Sequence, residues 1–123
     1  MYILVIDDDA DDFEFFLNAL KLVKPAARCQ HLKSGLSALK FLQKLTEQPN
    51  LIFLNINMPK MNGTEVLIAL KSDPKLKDIP VIMWSTTTSE KEKSAFKKLG
   101  AVHFLTKPTE LSVLMSSLKG LVN

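Results

Sequence analysis

The chain has a single cysteine, Cys29, among its 123 residues, which excludes an intramolecular disulfide and fits a reducing compartment. With only two histidines, no Cys/His set has the spacing of a zinc site. The four glycines, Gly35, Gly63, Gly100 and Gly120, never approach the G-x-G-x-x-G or P-loop spacings that cradle a nucleotide's phosphates. Long apolar runs are missing as well. The N-terminal run Tyr2–Ile6 stops at three aspartates, far too short for a signal sequence or a membrane span, so a cytoplasmic location with no membrane partner is expected. The formal charge of +3 comes mainly from lysines scattered between Lys60 and Lys98 and near the C-terminus, without an arginine cluster or interleaved aromatics. It reads as a solvated face, not as a nucleic-acid footprint. No linker, repeat or low-complexity segment divides the chain, and a single domain over residues 1–123 is expected, a length that buries roughly two thirds of the unfolded surface.

What is present is an alternation. Short apolar runs, Tyr2–Ile6, Ala27–Leu32, Leu51–Leu54, Val81–Trp84 and Val102–Leu105, are separated by segments whose apolar residues recur at helical spacing. Phe13, Phe16, Leu17 and Leu20 form one such stripe and Leu111, Leu114, Met115 and Leu118 another. Helices around Leu36–Leu45, Thr64–Lys71 and Glu90–Leu99 fall between them. Asp9, Ser34, Ser89 and Thr109 are placed to cap helix N-termini, and Gly100 and Gly120 to end helices. Strands alternating with helices imply a parallel α/β sheet covered on both faces by right-handed crossovers.

Ligands of such open sheets bind beyond the carboxyl ends of the strands. The residues expected there are Asp7, Asp8 and Asp9, then Asn55, then Ser85 and Thr86, then Thr106, Lys107 and Pro108. Neighbouring carboxylates in a partly dry setting repel by about 4 kcal/mol at 4 Å and an effective dielectric of 20, so Lys107 or a hard divalent ion should offset Asp7 and Asp8. Asp9 is read as a helix cap. Cys29 and Trp84 are read as structural. The stretch LIFLNINMPKMNG, Leu51–Gly63, ends its strand on Asn55, an amide that neither carries charge nor acts as a nucleophile.

Four stretches in order, ILVIDDDADD (Ile3–Asp12), LNINMPKMNG (Leu54–Gly63), IPVIMWST (Ile79–Thr86) and FLTKP (Phe104–Pro108), resemble the receiver domain of two-component response regulators over essentially the whole chain. The resemblance implies a flavodoxin-like (βα)5 doubly wound parallel sheet of strand order 2-1-3-4-5. It implies that Asp8, Asn55 and the Asn57 backbone carbonyl, with Asp7 through water, would hold Mg²⁺, and that Lys107 pairs with a phosphoryl group. Ser85 and Phe104 would be the conformational switch. Asn55 stands where the family has its phosphoacceptor aspartate, and an amide oxygen cannot make the attack a carboxylate makes. A non-enzymatic, phosphorylation-incompetent regulator with only weakly held Mg²⁺ is therefore expected. Its partner would be a histidine kinase, a phosphotransfer protein or another signalling protein, bound as a monomer or weak dimer through Lys91, Lys93, His103, Phe104 and Thr106. Alternatives are an ordinary phosphoaccepting receiver with an introduced Asp-to-Asn change, and a haloacid-dehalogenase-like phosphatase with Asp7 as nucleophile and Asp9 as acid-base. The latter would need a further acidic pair, where this chain offers Ser85-Thr86 and Thr106-Lys107.

Overall fold

A computed structural model describes residues 1–123. The elements in order are β1 (Tyr2–Ile6), α1 (Ala10–Val23), β2 (Arg28–Leu32), α2 (Gly35–Lys44), β3 (Leu51–Asn55), α3 (Gly63–Ser72), β4 (Val81–Ser85), α4 (Glu90–Lys98), β5 (His103–Thr106) and α5 (Leu111–Val122). All strand pairs are parallel and the sheet order is β2-β1-β3-β4-β5, the flavodoxin-like arrangement expected. The expected runs miss several ends by one residue: Asn55, Ser85 and Thr106 are the last residues of their strands and do not lie beyond them. No helix is long and apolar enough to cross a membrane.

Successive strand residues face opposite sides, and each side has its own core. Leu4, Ile6, Ile52, Leu54, Val81 and Met83 pack with Ala38, Leu42, Val66, Leu67, Leu70 and Phe96 of α2, α3 and α4. Ile3, Val5, Phe53, Ile82, Trp84 and Leu105 pack with Phe16, Leu20, Leu114 and Leu118 of α1 and α5. The central strands are buried on both faces, which explains why their sequences hardly alternate. Edge strand β2 is polar and partly exposed. Cys29 on it is half-buried, and burial pushes its thiol up to about 12, so it stays an unreactive packing group.

Asp9, Ser34 and Ser89 cap α1, α2 and α4 as expected, each accepting from backbone N–H groups of the first turn. The cap of α3 is Asn62, which forms a reciprocal box with Glu65. Two expected caps are wrong. Thr109 does not cap α5, whose N-cap position is Glu110 with no side-chain bond. Gly120 does not end α5; the helix runs on to Val122, because Val122 lies one turn after Leu118, is 2% exposed, and its carbonyl accepts from Lys24 Nζ at 2.9 Å. Burying that valine outweighs the roughly 1 kcal/mol that an internal glycine costs a helix. Gly100, by contrast, directly follows Leu99, the C-cap of α4, at φ 110°, as a C-terminal glycine does.

Gly63 brings α3 hard against the end of β3. A Cβ there would sit 2.3 Å from the Asn55 carbonyl oxygen and 2.8 Å from Ile56 Cα, and the Gly63 N–H donates to the Ile56 carbonyl at 2.7 Å. Gly63→Ala should therefore force the helix off the strand and destabilise the protein by about 1–3 kcal/mol, as overpacking does. A urea midpoint unchanged from the parent would show that the contact yields freely.

A pocket of carboxylates, an amide and an ammonium at the strand ends

The two-residue period that sorts the core also places the site. Val5 faces α1 and α5, so Asp7 continues on that side; Phe53 leads likewise to Asn55, Ile82 to Trp84, and Leu105 to Lys107. The strand register then sets these four side chains beside one another at one end of the sheet. Ser85 and Phe104 have the opposite parity. They fall on the α2–α3–α4 side, on neighbouring strands.

Asp7 has no solvent exposure. Its Oδ1 accepts from the Asp9 N–H at 3.0 Å, and its Oδ2 from Lys107 Nζ at 2.9 Å and Trp84 Nε1 at 3.1 Å. The strand end beneath it is held by the Asp7 N–H donating to the Leu32 carbonyl and by His31, whose Nε2 donates to the Asp7 carbonyl at 2.7 Å while its ring stacks on Phe13. Lys107 Nζ also pairs with Asp12 Oδ2 at 2.7 Å. Its backbone N–H donates to the Ser85 carbonyl at 2.6 Å.

Burial is the largest influence on Asp7 and raises its carboxyl above the ordinary range; the Asp9 N–H and the Lys107 ammonium pull it back without cancelling the rise. A folded-state value above the unfolded one means that ionising Asp7 costs stability. Its favourable contribution is complete below the ordinary carboxylate pKa and is lost as pH rises through the raised value. Carbon-detected titration of the folded protein should place the Asp7 midpoint above the ordinary aspartate value. A midpoint below it would show that the donors outweigh desolvation.

Asn55 is 7% exposed. Its Nδ2 donates to Asp8 Oδ1 at 3.2 Å and to the Asn57 carbonyl at 3.1 Å. Both partners are acceptors only, which settles that the NH₂ half of the amide faces them. Asp8 is exposed, and Asp9 is committed to capping, accepting from the Asp11 and Asp12 N–H groups. Asp8, Asn55 and the Asn57 carbonyl thus meet one another, and Asp7 meets Lys107, at the same end of the sheet. Asp8 Oδ1, the Asn57 carbonyl and the amide oxygen of a turned Asn55 are hard donors suited to Mg²⁺ or Mn²⁺, but they include one carboxylate, and the oxygens are already satisfied by the amide. No group of three or more His, Cys, Asp or Glu side chains is placed to hold a metal.

Ser85 is 2% exposed, and its Oγ accepts from the Thr87 N–H at 3.4 Å. Phe104 is half-buried; its ring lies 6.1 Å from Phe96, with Lys93 Nζ 5.7 Å above it. Lys91 and His103 are exposed nearby. Two site residues were missed in the sequence: Trp84, which sits in an apolar run and reads as core, and Asp12, which reads as a first-turn helix acid. The period of two from Ile82 was the signal for Trp84. For Asp12 no sequence signal exists.

A flavodoxin-like sheet whose carboxyl ends gather an acidic pair, a buried hydroxyl and a lysine defines a receiver-type signalling domain. Residues 3–119 match the family model described as response regulator receiver domain, and the chain belongs to that family. It is 35% identical over 124 residues to the response regulator Rcp1 of Synechocystis, covering 97% of this chain and 84% of Rcp1. Its fold matches the phosphorylated cyanobacterial phytochrome response regulator RcpA with a TM-score of 0.87 at 31% identity, over 98% of this chain and 89% of that one. The Mn²⁺-bound form of Rcp1 matches at 0.84 and 34% identity, over 98% and 90%. Among relatives that carry enzymes, such as a probable cyclic di-GMP phosphodiesterase of Vibrio cholerae, the chain spans only 25% of the length.

Proposed function

We propose that this receiver domain serves a two-component phosphorelay in which Asn55 stands at the phosphoacceptor position, so that the chain takes no phosphoryl group and acts by binding. The observation that carries the reading is the Asn55 amide. It donates to Asp8 and to the Asn57 carbonyl, the two oxygens to which a divalent ion would come, and so ties the acidic loop to the β3–α3 loop without one. The chain catalyses nothing of its own. Asp9 is spent on a cap and Asp7 is sealed from solvent, which speaks against a phosphatase that needs both.

A divalent ion, when bound, would supply positive charge to offset the pocket's negative oxygens. Here Asp8, the Asn57 carbonyl and a turned Asn55 would hold it, and only weakly, since residue 55 is neutral and its amide must first give up two hydrogen bonds. The water link to Asp7 that the resemblance implies has no room, because Asp7 is unexposed and both its oxygens are taken by protein donors. The partner is a histidine kinase, a phosphotransfer protein or another signalling protein; the likeness to phytochrome response regulators favours a sensor kinase of that kind. It would dock on the face carrying Lys91, Lys93, His103, Phe104 and Thr106. Ser85 and Phe104 switch when a partner favours one Phe104 rotamer population. The test is incubation with acetyl phosphate and Mg²⁺ followed by intact-mass measurement: no adduct on this chain supports the reading, and an adduct at residue 55 ends it.

A further inference from the structure

Trp84 and Asp12 lie outside the set of acids, amide and lysine that the family resemblance marks, yet both bear on Lys107. The Trp84 ring is wholly buried and lies 5.4 Å from the Lys107 Nζ. Its indole N–H donates to Asp7 Oδ2, the same oxygen that takes the ammonium. Asp12 stands in the first turn of α1, where the helix N-terminus favours an anion, and that turn is pinned by Asp9 accepting from the Asp12 N–H at 3.1 Å. The ammonium is closer to Asp12, at 2.7 Å, than to Asp7, at 2.9 Å. Its partners are these two carboxylates and not Asn55. A neutral amide offers an ammonium far less than a second carboxylate does, so the charge that position 55 does not carry is supplied from α1.

We propose that Asp12 and Trp84 are positioning residues for Lys107, holding its ammonium on the α1 side of the pocket, with Asp12 providing the negative charge that residue 55 lacks. The inference rests on reading Asn55 as the acceptor position. It implies that restoring a carboxylate at residue 55 does not by itself restore full reactivity, because Asp12 still competes for the lysine.

The experiment measures the rate of adduct formation from acetyl phosphate with Mg²⁺, by intact mass, in the Asn55→Asp background. Adding Asp12→Asn should raise the rate about fivefold, the scale of removing one competing half-buried ion pair. Asp12→Glu should restore the slower rate. The gain should vanish when Lys107→Ala is also present, since the effect passes through the lysine. No gain, or a gain that persists without Lys107, overturns the proposal. The second arm uses the Asn55 chain itself and its only tryptophan: the indole N–H resonance should move on Asp12→Asn and stay in place on Asp11→Asn. If Asn55→Asp takes no adduct at all, the acceptor reading fails, while an indole resonance unmoved by Asp12→Asn overturns the placement of Lys107 on its own.

Discussion

Treated with acetyl phosphate and Mg²⁺, the Asn55→Asp variant is expected to gain one phosphoryl group, mapped to residue 55, while the Asn55 chain gains none. The difference is one of reactivity and not of shape. An acyl phosphate forms when a carboxylate oxygen attacks phosphorus, and the amide oxygen of Asn55 has no charge to give and its lone pair is delocalised. The surrounding parts are in place: Lys107 is 9% exposed at the pocket wall, Asp8 is open to solvent, and the Asn57 carbonyl converges with Asp8 on the residue-55 side chain. Asp7 is not an alternative acceptor, since no solvent reaches it. Asp8→Asn added to Asn55→Asp should abolish the adduct by removing the remaining free carboxylate of the metal set. A phosphoryl group found on the Asn55 chain would require a different acceptor chemistry altogether.

The same substitution should weaken the metal-free fold by about 2–4 kcal/mol. Two donated hydrogen bonds, to Asp8 and to the Asn57 carbonyl, become contacts between acceptors; each lost bond is worth about 1 kcal/mol. A carboxylate at the amide's place also repels Asp8. That repulsion is at most about 4 kcal/mol at an effective dielectric of 20, and the exposure of Asp8 and the reach of Lys107 reduce it. Urea midpoints in the presence of a chelator should therefore fall from the Asn55 chain to Asn55→Asp. Mg²⁺ should then rescue the variant by about 2.7 kcal/mol at a hundredfold excess over its dissociation constant, with a much smaller gain for the Asn55 chain. If the variant proves equally stable in chelator, the amide bridge contributes nothing and the proposed function loses its main support.

Much of the fold was legible because it is local. Asp9, Ser34 and Ser89 cap their helices through bonds to N–H groups two or three residues on, and the apolar runs have strand length wherever the sheet has a strand. The errors came where a distant packing event overrode a local signal. Gly120 reads as a helix end, but burial of Val122 against the α1–α5 core carries the helix past it. Thr109 is a good cap by type, yet α5 begins its turn one residue later.

Periodicity and residue type are carried by short stretches of chain, so the alternation of elements, the end of the sheet where polar groups collect, and the neutral residue at the centre of that collection can all be read from the amino-acid order. What each of those groups holds comes from the folded arrangement alone. The amide of Asn55 faces Asp8 across 47 residues of sequence, the Trp84 indole reaches Asp7 across 77, and Lys107 finds Asp12 across 95. Which donor meets which acceptor depends on the register of parallel strands joined through long crossovers, and no local pattern encodes that register.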